Sequence, residues 1–421
     1  MVFPFRLTYR STTAEKNHFK NPAMFAVFSL SREKARTCHV GDIVKKTRIA
    51  LLTLPFLAGA AHAQSSVTLY GFVDAGLVYV NNQSGHSNVE TITGQTSGSR
   101  WGLRGSEDLG GGLKAIFTLE NGFDTSNGKL LQGGREFGRQ AFVGLSSDTW
   151  GAVTLGRQYD PMTELIGEIA GTSMWAWLGT HPGDFDDLNS TFRVNNAVKY
   201  QSPKLHGLQA SGMFAPGGVA GNFASGRVYT LGLKYVNGSL SAALAYDNIN
   251  NPSVSVLDSA VSPSQTGYVT PGRSPVSSGY ASANVWQIFG AAVSYKLGRG
   301  SIGLVYTNAR FEDIRHTAST PNTGNAVFNS YEINGRYFIT PALLIGASFD
   351  YTKAPHAKYE QIDFGPNYSL SKRTDLNLVG VWQRASGVDS TGHAAVAAIS
   401  TLGQSSTPTQ VALKLSLRHR F

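Results

Sequence analysis

The last eleven residues, Val411 to Phe421, constrain the fold more than any other stretch of this chain. Val411, Leu413, Leu415, Leu417 and Phe421 are apolar at odd positions, with His419 the exception, while Lys414, Ser416, Arg418 and Arg420 are polar or charged at even ones. A strand turns successive side chains to opposite faces, so this segment has one apolar face and one wet face. A strand with hydrocarbon on one side and water on the other is the unit of a membrane barrel.

The same alternation recurs upstream. Val67, Leu69, Gly71 and Val73 oppose Thr68, Tyr70 and Asp74; Leu113, Ala115, Phe117 and Leu119 oppose Lys114, Thr118 and Glu120; Tyr331, Ile333 and Tyr337 oppose Ser330, Glu332, Asn334 and Arg336. Segment 284–297 fits worst, because both of its faces are mixed. Short connections such as Asp148–Gly151, Asn237-Gly238 and Thr340-Pro341 alternate with long ones near 82–97, 123–136, 159–190, 216–226, 249–283, 311–326, 353–358 and 386–407. This rhythm predicts an all-β fold, a 16-stranded antiparallel transmembrane β-barrel with short turns on one side and long loops on the other. A two-sheet sandwich would need a dry core between its sheets. Here the faces opposite the apolar ones carry Arg, Lys, Glu and Asn. Lipid buries the apolar faces directly, and closure satisfies the strand edges.

Composition agrees. Charged residues are only 15% of the chain, below the usual quarter of a soluble domain, and no apolar run is long enough for a spanning helix. The net charge of +9 is misleading. Of 36 Lys and Arg and 27 Asp and Glu, residues 1–63 hold ten and three, so the remainder is nearly balanced and nucleic acid is not an expected partner. The single cysteine, Cys38, also lies in that leader.

Lys45-Lys46-Thr47-Arg48, the apolar run Ile49–Ala61 and Ala61-His62-Ala63 make the three parts of a cleaved export signal, with a mature start at Gln64. Such a signal belongs at a chain start, yet residues 1–43 precede it. The organisation read here is a non-native or misassigned extension at 1–43, translation from Val44, a signal peptide at 44–63 and a barrel at 64–421.

Several stretches in order carry a family likeness: Ser66–Gly76, Ser99–Gly110, Gly112–Phe123, Arg139–Leu145, Gly156–Gln158, Tyr368–Thr374 and Arg420-Phe421. They resemble the general porins of Gram-negative outer membranes, of the β-proteobacterial type. The resemblance implies a homotrimer in the outer membrane, among lipid and lipopolysaccharide, passing small hydrophilic solutes and ions by diffusion. It implies that the third long loop, 159–190, folds into the lumen and narrows it, and that Phe421 is the terminal aromatic read by the barrel-assembly machinery.

Strand parity places Arg100, Arg104, Lys114, Arg139, Arg193 and Lys199 on the wet face near the chain start; the resemblance favours Arg100, Arg139 and Arg193 most. Loop 159–190 offers Glu164, Glu168, Asp184, Asp186 and Asp187 as the opposing acids. Glu164 and Glu168 share a face if that part is helical. The plainer alternative is that the arginines only pair with loop carboxylates and hold the fold. Arg157 breaks parity and sits either outward or at a bulge. Asp184, Asp186 and Asp187 form either a solvated acidic loop or an oxygen-rich cation site, though the spacing of a calcium loop is missing. Trp101, Tyr229, Tyr235, Tyr331, Tyr337, Trp382 and Phe421 belong on the lipid or subunit face. No catalytic, cofactor or metal motif is present, and His181 has no partner identifiable by spacing. The alternative to a channel is a barrel that binds partners through its long outer loops, as an adhesin or receptor.

Overall fold

The computed structural model describes residues 65–94, 98–255, 274–317 and 320–421. The extension 1–43, the signal peptide 44–63, the start at Gln64 and most of loop 249–283 lie outside the described residues.

Seventeen strand segments follow in chain order: β1 (Ser66–Gln83), β2 (His86–Thr93), β3 (Arg100–Gly110), β4 (Leu113–Gly122), β5 (Gln140–Ser147), β6 (Gly151–Gln158), β7 (Val194–Gln201), β8 (Leu208–Ala215), β9 (Val228–Asn237), β10 (Leu240–Asn250), β11 (Val285–Leu297), β12 (Gly300–Ile314), β13 (Gly324–Phe338), β14 (Leu343–Lys353), β15 (Ala357–Ser369), β16 (Thr374–Gly387) and β17 (Thr409–Arg420). Neighbours pair antiparallel, and β1 pairs with β17, so the sheet closes on itself. β1 pairs with β3 along its first half and with β2 along its second. β2, which ends at Thr93, and β3, which begins at Arg100, therefore share one position, and the barrel has sixteen strands. The Ser99 hydroxyl ties the start of β3 to β1, accepting from the Asp74 N–H at 3.1 Å and donating to the Asp74 carbonyl at 3.0 Å. Of 82–97, expected as a long loop, the described residues 82–94 are thus mostly strand around a tight Ser84-Gly85 turn, and 353–358 shortens to a three-residue turn.

One face of the sheet exposes Val67, Leu69, Leu77, Leu231, Leu304 and Leu415, as parity predicts. Among the described residues no helix is long and apolar enough to cross a membrane, so crossing falls to these strands. Phe421 closes the cylinder: its N–H donates to the Gly71 carbonyl and its carbonyl accepts from the Gly71 N–H, both at 3.1 Å. Any Cβ at Gly71 would lie 2.4 Å from the Phe421 ring, so glycine is what lets the terminal aromatic lie flat on that face.

The opposite face divides into two kinds of surface. Polar residues such as Glu120, Lys199, Thr307, Glu332 and Lys414 occupy much of it. Between β10 and β13 it is aromatic instead: Trp286, Phe311 and Phe328 are buried there with Phe185 and Phe192 from the segment after β6. Phe185 stacks on Phe328 at 4.5 Å, and Trp286 on Phe311 at 5.2 Å. This explains why 284–297 reads so poorly: β11 is regular, but its inward Trp286 and Ile288 pack against protein and not water.

Candidate functional site

Residues 159–193, between β6 and β7, lie against this second face. They form short helical turns at Met162–Ile166, Thr172–Trp175, Ala176–Gly179 and Pro182–Asp184. Three wall glycines make seats for them. A Cβ on Gly232 would lie 2.7 Å from Leu165, one on Gly290 2.7 Å from Met162, and one on Gly346 2.7 Å from Met174. Hydrogen bonds add to the seating. The Gly171 N–H donates to Glu332 at 2.7 Å, the Asn334 amide to the Ile169 carbonyl at 2.9 Å, and the Gln361 amide to the carbonyls of Leu178 and Thr180 at 3.1 Å each.

Four arginines gather where this segment begins and ends. Arg139 Nε donates to Glu120 Oε1 at 2.7 Å, and Arg100 stands 3.8 Å from the same oxygen. Tyr70 donates to the other Glu120 oxygen at 2.9 Å and Tyr159 to the first at 3.3 Å. Arg193 lies over the Tyr159 ring at 5.1 Å and Arg104 over the Tyr70 ring at 4.3 Å. Four guanidinium groups thus surround one carboxylate and two neutral rings. The rings hold the cations without cancelling their charge, since the attraction is to the ring quadrupole. Arg104 is exposed and Arg100 partly so.

The other two cations expected here are elsewhere. Lys199 pairs with Glu164 and donates to the Tyr159 carbonyl at 3.0 Å. Lys114 is exposed beside the turn at Gly111, opposite Asp108 in register, far along β4 from Glu120. Parity assigns it the right face but the wrong height.

The five acids expected to face the arginines are engaged differently. Glu164 binds Lys199, and Glu168 binds Lys234 on β9. Burial raises the Glu164 carboxyl above its usual range, and Lys199 only partly offsets this. Asp184, Asp186 and Asp187 are buried, not solvated. Asp187 accepts from the Phe192 N–H at 3.0 Å, and Asp184 from the Asn189 N–H at 3.2 Å and from the Thr191 hydroxyl. Burial first, and Asp186 beside it, push the Asp184 carboxyl up to about 7. Asp186 accepts from the Thr307 hydroxyl of β12 at 2.6 Å. Among the described residues no group of acids and histidines has the arrangement of a metal site.

His181 does have partners: Nδ1 is 2.6 Å from Asp186 and Nε2 is 3.0 Å from Glu332, 151 residues away. Burial alone would lower its pKa, but Asp186 and Glu332 outweigh that and hold it well above its ordinary 6.5. Sequence spacing could not reveal the Glu332 contact. Glu120, by contrast, carries a readable signal, an acid with wet-face parity on a strand neighbouring Arg100. Arg157 keeps the parity of the apolar face, pairing with Ala141 as Leu155 pairs with Val143, and it is buried beside a bulge against β7 between Gly156 and Gln158, where Gly156 has φ of 136°. It donates to the Gly138 carbonyl at 2.8 Å and to Asn195 at 2.6 Å.

Beside Arg193 a cavity of about 200 Å³ is lined by Thr91, Thr93, Gln132, Trp177 and Ser190. Arg193 Nε, Ser190 Oγ and Gln132 Oε1 have no protein partner among the described residues and are left for water or solute.

A family model described as Gram-negative porin matches residues 49–387. The chain belongs to the Gram-negative porins. It is 34% identical to outer membrane porin protein 32 of Delftia acidovorans, over 79% of this chain and 88% of that protein. It is 40% identical to an outer membrane porin protein of Bordetella pertussis, over 49% of this chain and 60% of that one. The chain therefore spans less than two thirds of the Bordetella protein in that match. The solved anion-selective porin from Comamonas acidovorans shares the fold, with a TM-score of 0.65, 24% identity and coverage of 85% of this porin and 100% of that chain.

Proposed function

We propose that this porin is an outer-membrane diffusion channel for small hydrophilic solutes and ions, and that residues 159–193 fold into the lumen and set its narrowest point. Under this reading Arg100, Arg104, Arg139 and Arg193 form the basic wall of that constriction. The observation that carries it is their arrangement: four arginines held by one carboxylate and two tyrosine rings, with the loop acids drawn to lysines and to the loop's own backbone. A net positive field at the gap favours anions and lets polar solutes exchange water for oriented donors. The solved relative named as anion-selective supports the same sign. No bond-making chemistry is required of any residue. Assembly as a trimer is part of this reading; a related fold has been solved in a trimer form. Recognition of Phe421 by the assembly machinery belongs to it as well.

Planar-bilayer recording of the full-length mature protein tests it. The expected result is stable open channels with a reversal potential that favours anions in a salt gradient. Absence of channels would shift the reading to a surface-binding barrel; channels favouring cations would remove the role assigned to the arginines.

A further inference from the structure

The cavity beside Arg193 is walled by four separate stretches of chain: β2, the connection from β4 to β5, the segment 159–193 and the connection from β16 to β17. It holds about 200 Å³. A cavity of about 150 Å³ accommodates a benzene ring, so this one has room for a single six-membered ring with some of its substituents. Half of the lining residues are serine or threonine, and the aromatic among them is the half-buried Trp177.

Three lining atoms decide what suits the space. Arg193 Nε and Ser190 Oγ are buried donors and Gln132 Oε1 is a buried acceptor; among the described residues none of them has a protein partner. All three side chains belong to residues more than nine-tenths buried. The rest of the Arg193 guanidinium is committed, donating to the Ser190 carbonyl at 2.8 Å and to the Tyr159 hydroxyl at 3.5 Å. Leaving a buried polar atom unpaired is costly, so the favoured occupant both accepts and donates. A chloride or carboxylate ion only accepts and leaves Gln132 Oε1 bare. An ammonium group only donates and leaves Arg193 bare. A hydroxyl does both.

Charge and backbone agree with a neutral occupant. Arg193 and Asp124 are the two charged lining residues, and their formal charges cancel. The Asp124 carboxylate is engaged by its own turn: Oδ1 accepts from the Ser126 N–H at 2.8 Å and the Ser126 hydroxyl at 2.7 Å, and Oδ2 from the Asn127 amide at 2.8 Å. Gln132, Ser190 and Thr401 all have left-handed backbone, with φ of 51°, 61° and 70°. For a β-branched residue such as threonine that is an outlier. Strain of this kind persists only where the surroundings hold it, and it gathers at ligand clamps.

We propose that this cavity is a binding subsite for one pyranose ring of an uncharged sugar. The C–H face of the ring lies on the flat apolar surface of Trp177. One hydroxyl accepts from Arg193 and Ser190, and its neighbour donates to Gln132. The site goes beyond the channel reading and shares only Arg193 with the basic wall: the open arginines draw anions, while this recess retains a neutral solute.

Saturation-transfer NMR on the folded full-length mature protein, in a detergent without a sugar headgroup, tests it. D-Glucose, D-galactose and D-mannose are titrated singly, and at least one should show saturation of its ring protons. Gln132→Leu with Ser190→Ala should weaken that binding at least about tenfold, while Lys296→Gln, on the distant end of β11, should leave it unchanged. If the double variant lacks the heat-modifiable gel migration of a folded barrel, Trp177→Leu reads the same site and should abolish ring-proton saturation. No transfer to any of the three sugars, or undiminished transfer in a folded site variant, would overturn the proposal. Displacement of the sugar by equimolar acetate would make this a bare anion site, and displacement by equimolar L-serine a zwitterion site; either result overturns it. Because the measurement needs no conductance, a wild type that binds sugar but forms no channels defeats the channel reading alone, and one that conducts but binds no sugar defeats the subsite alone.

Discussion

Two charged patches on the inner face of the barrel differ less in their charge than in what covers them. On β3–β5 and around Tyr159, Arg100 and Arg139 meet Glu120 while Arg104 and Arg193 lie over tyrosine rings, and Arg104 stays exposed. On β13–β15, Glu332, Asp350 and Asp363 meet His181, Ser348 and Gln361, and all three acids are buried. The loop segment covers the acidic patch and leaves Arg104, and in part Arg100, of the basic one open. A passing solute responds to uncovered charge, so the sign of the channel follows from where 159–193 sits as much as from which residues line the wall.

The largest expected effect comes from removing the open charges. A unit charge about 8 Å from an ion, at an effective dielectric near 40, is worth about 1 kcal/mol. Arg100→Gln with Arg104→Gln should therefore lower the anion-to-cation permeability ratio by at least roughly tenfold even after screening by salt, read as a shift of reversal potential in a salt gradient. The matched change on the covered side, Asp350→Asn with Asp363→Asn, should leave that ratio near wild type. Equal shifts from the two pairs would erase the distinction between open and covered charge.

Glu120→Gln sharpens the same contrast. It removes the Glu120 charge from the basic patch and leaves Arg139 and two tyrosines one acceptor oxygen between them. Breaking such a pair by one partner costs about 3 kcal/mol. Thermal unfolding should show that loss while the reversal potential moves further toward anions.

The covered patch is the place for pH. The two carboxylates beside His181 raise its pKa, so its charged form stabilises the seated loop in full below about 6.5. That contribution is lost as pH climbs through the raised value, when Asp186, Glu332 and Asp350 face a neutral ring. Wild type should therefore unfold at a higher temperature than His181→Asn at neutral pH, with the gap closing in alkali. Asp184 runs the other way in its own window. With its carboxyl pushed up to about 7, ionisation between its ordinary value and 7 destabilises the loop, so Asp184→Asn should be most favourable, relative to wild type, above pH 7. A gap between wild type and His181→Asn that is constant from pH 6 to 10 would mean that the imidazole only fills space.

Much of this was legible in the chain. Period-two alternation placed Arg100, Arg104, Glu120, Lys199 and Lys414 on the wet face, because a strand offers a side chain only two directions. It failed wherever a third variable entered. Trp286 and Ile288 face inward yet stay dry, because the loop above them is apolar at Phe185 and Phe192. The loop acids were expected opposite the arginines, but lysines on β7 and β9 and free N–H groups within the loop are nearer partners. Contacts such as His181 with Glu332 depend on how a closed sheet brings distant strands together, which local pattern does not encode.

The smallest expected effect tests height along the strand. Lys114 shares the inner face with Glu120 but lies six residues nearer the turn at Gly111. At about 3.4 Å per residue that is roughly 20 Å, about two Debye lengths at physiological salt. Lys114→Gln should then shift the reversal potential by only a small fraction of the shift from Arg104→Gln, although both remove one exposed inner-face cation. At an ionic strength near 0.01 M the Debye length grows to about 30 Å, and the two effects should draw together. If Lys114→Gln matches Arg104→Gln even in high salt, the field is spread along the whole lumen, and the narrow basic patch loses its special standing.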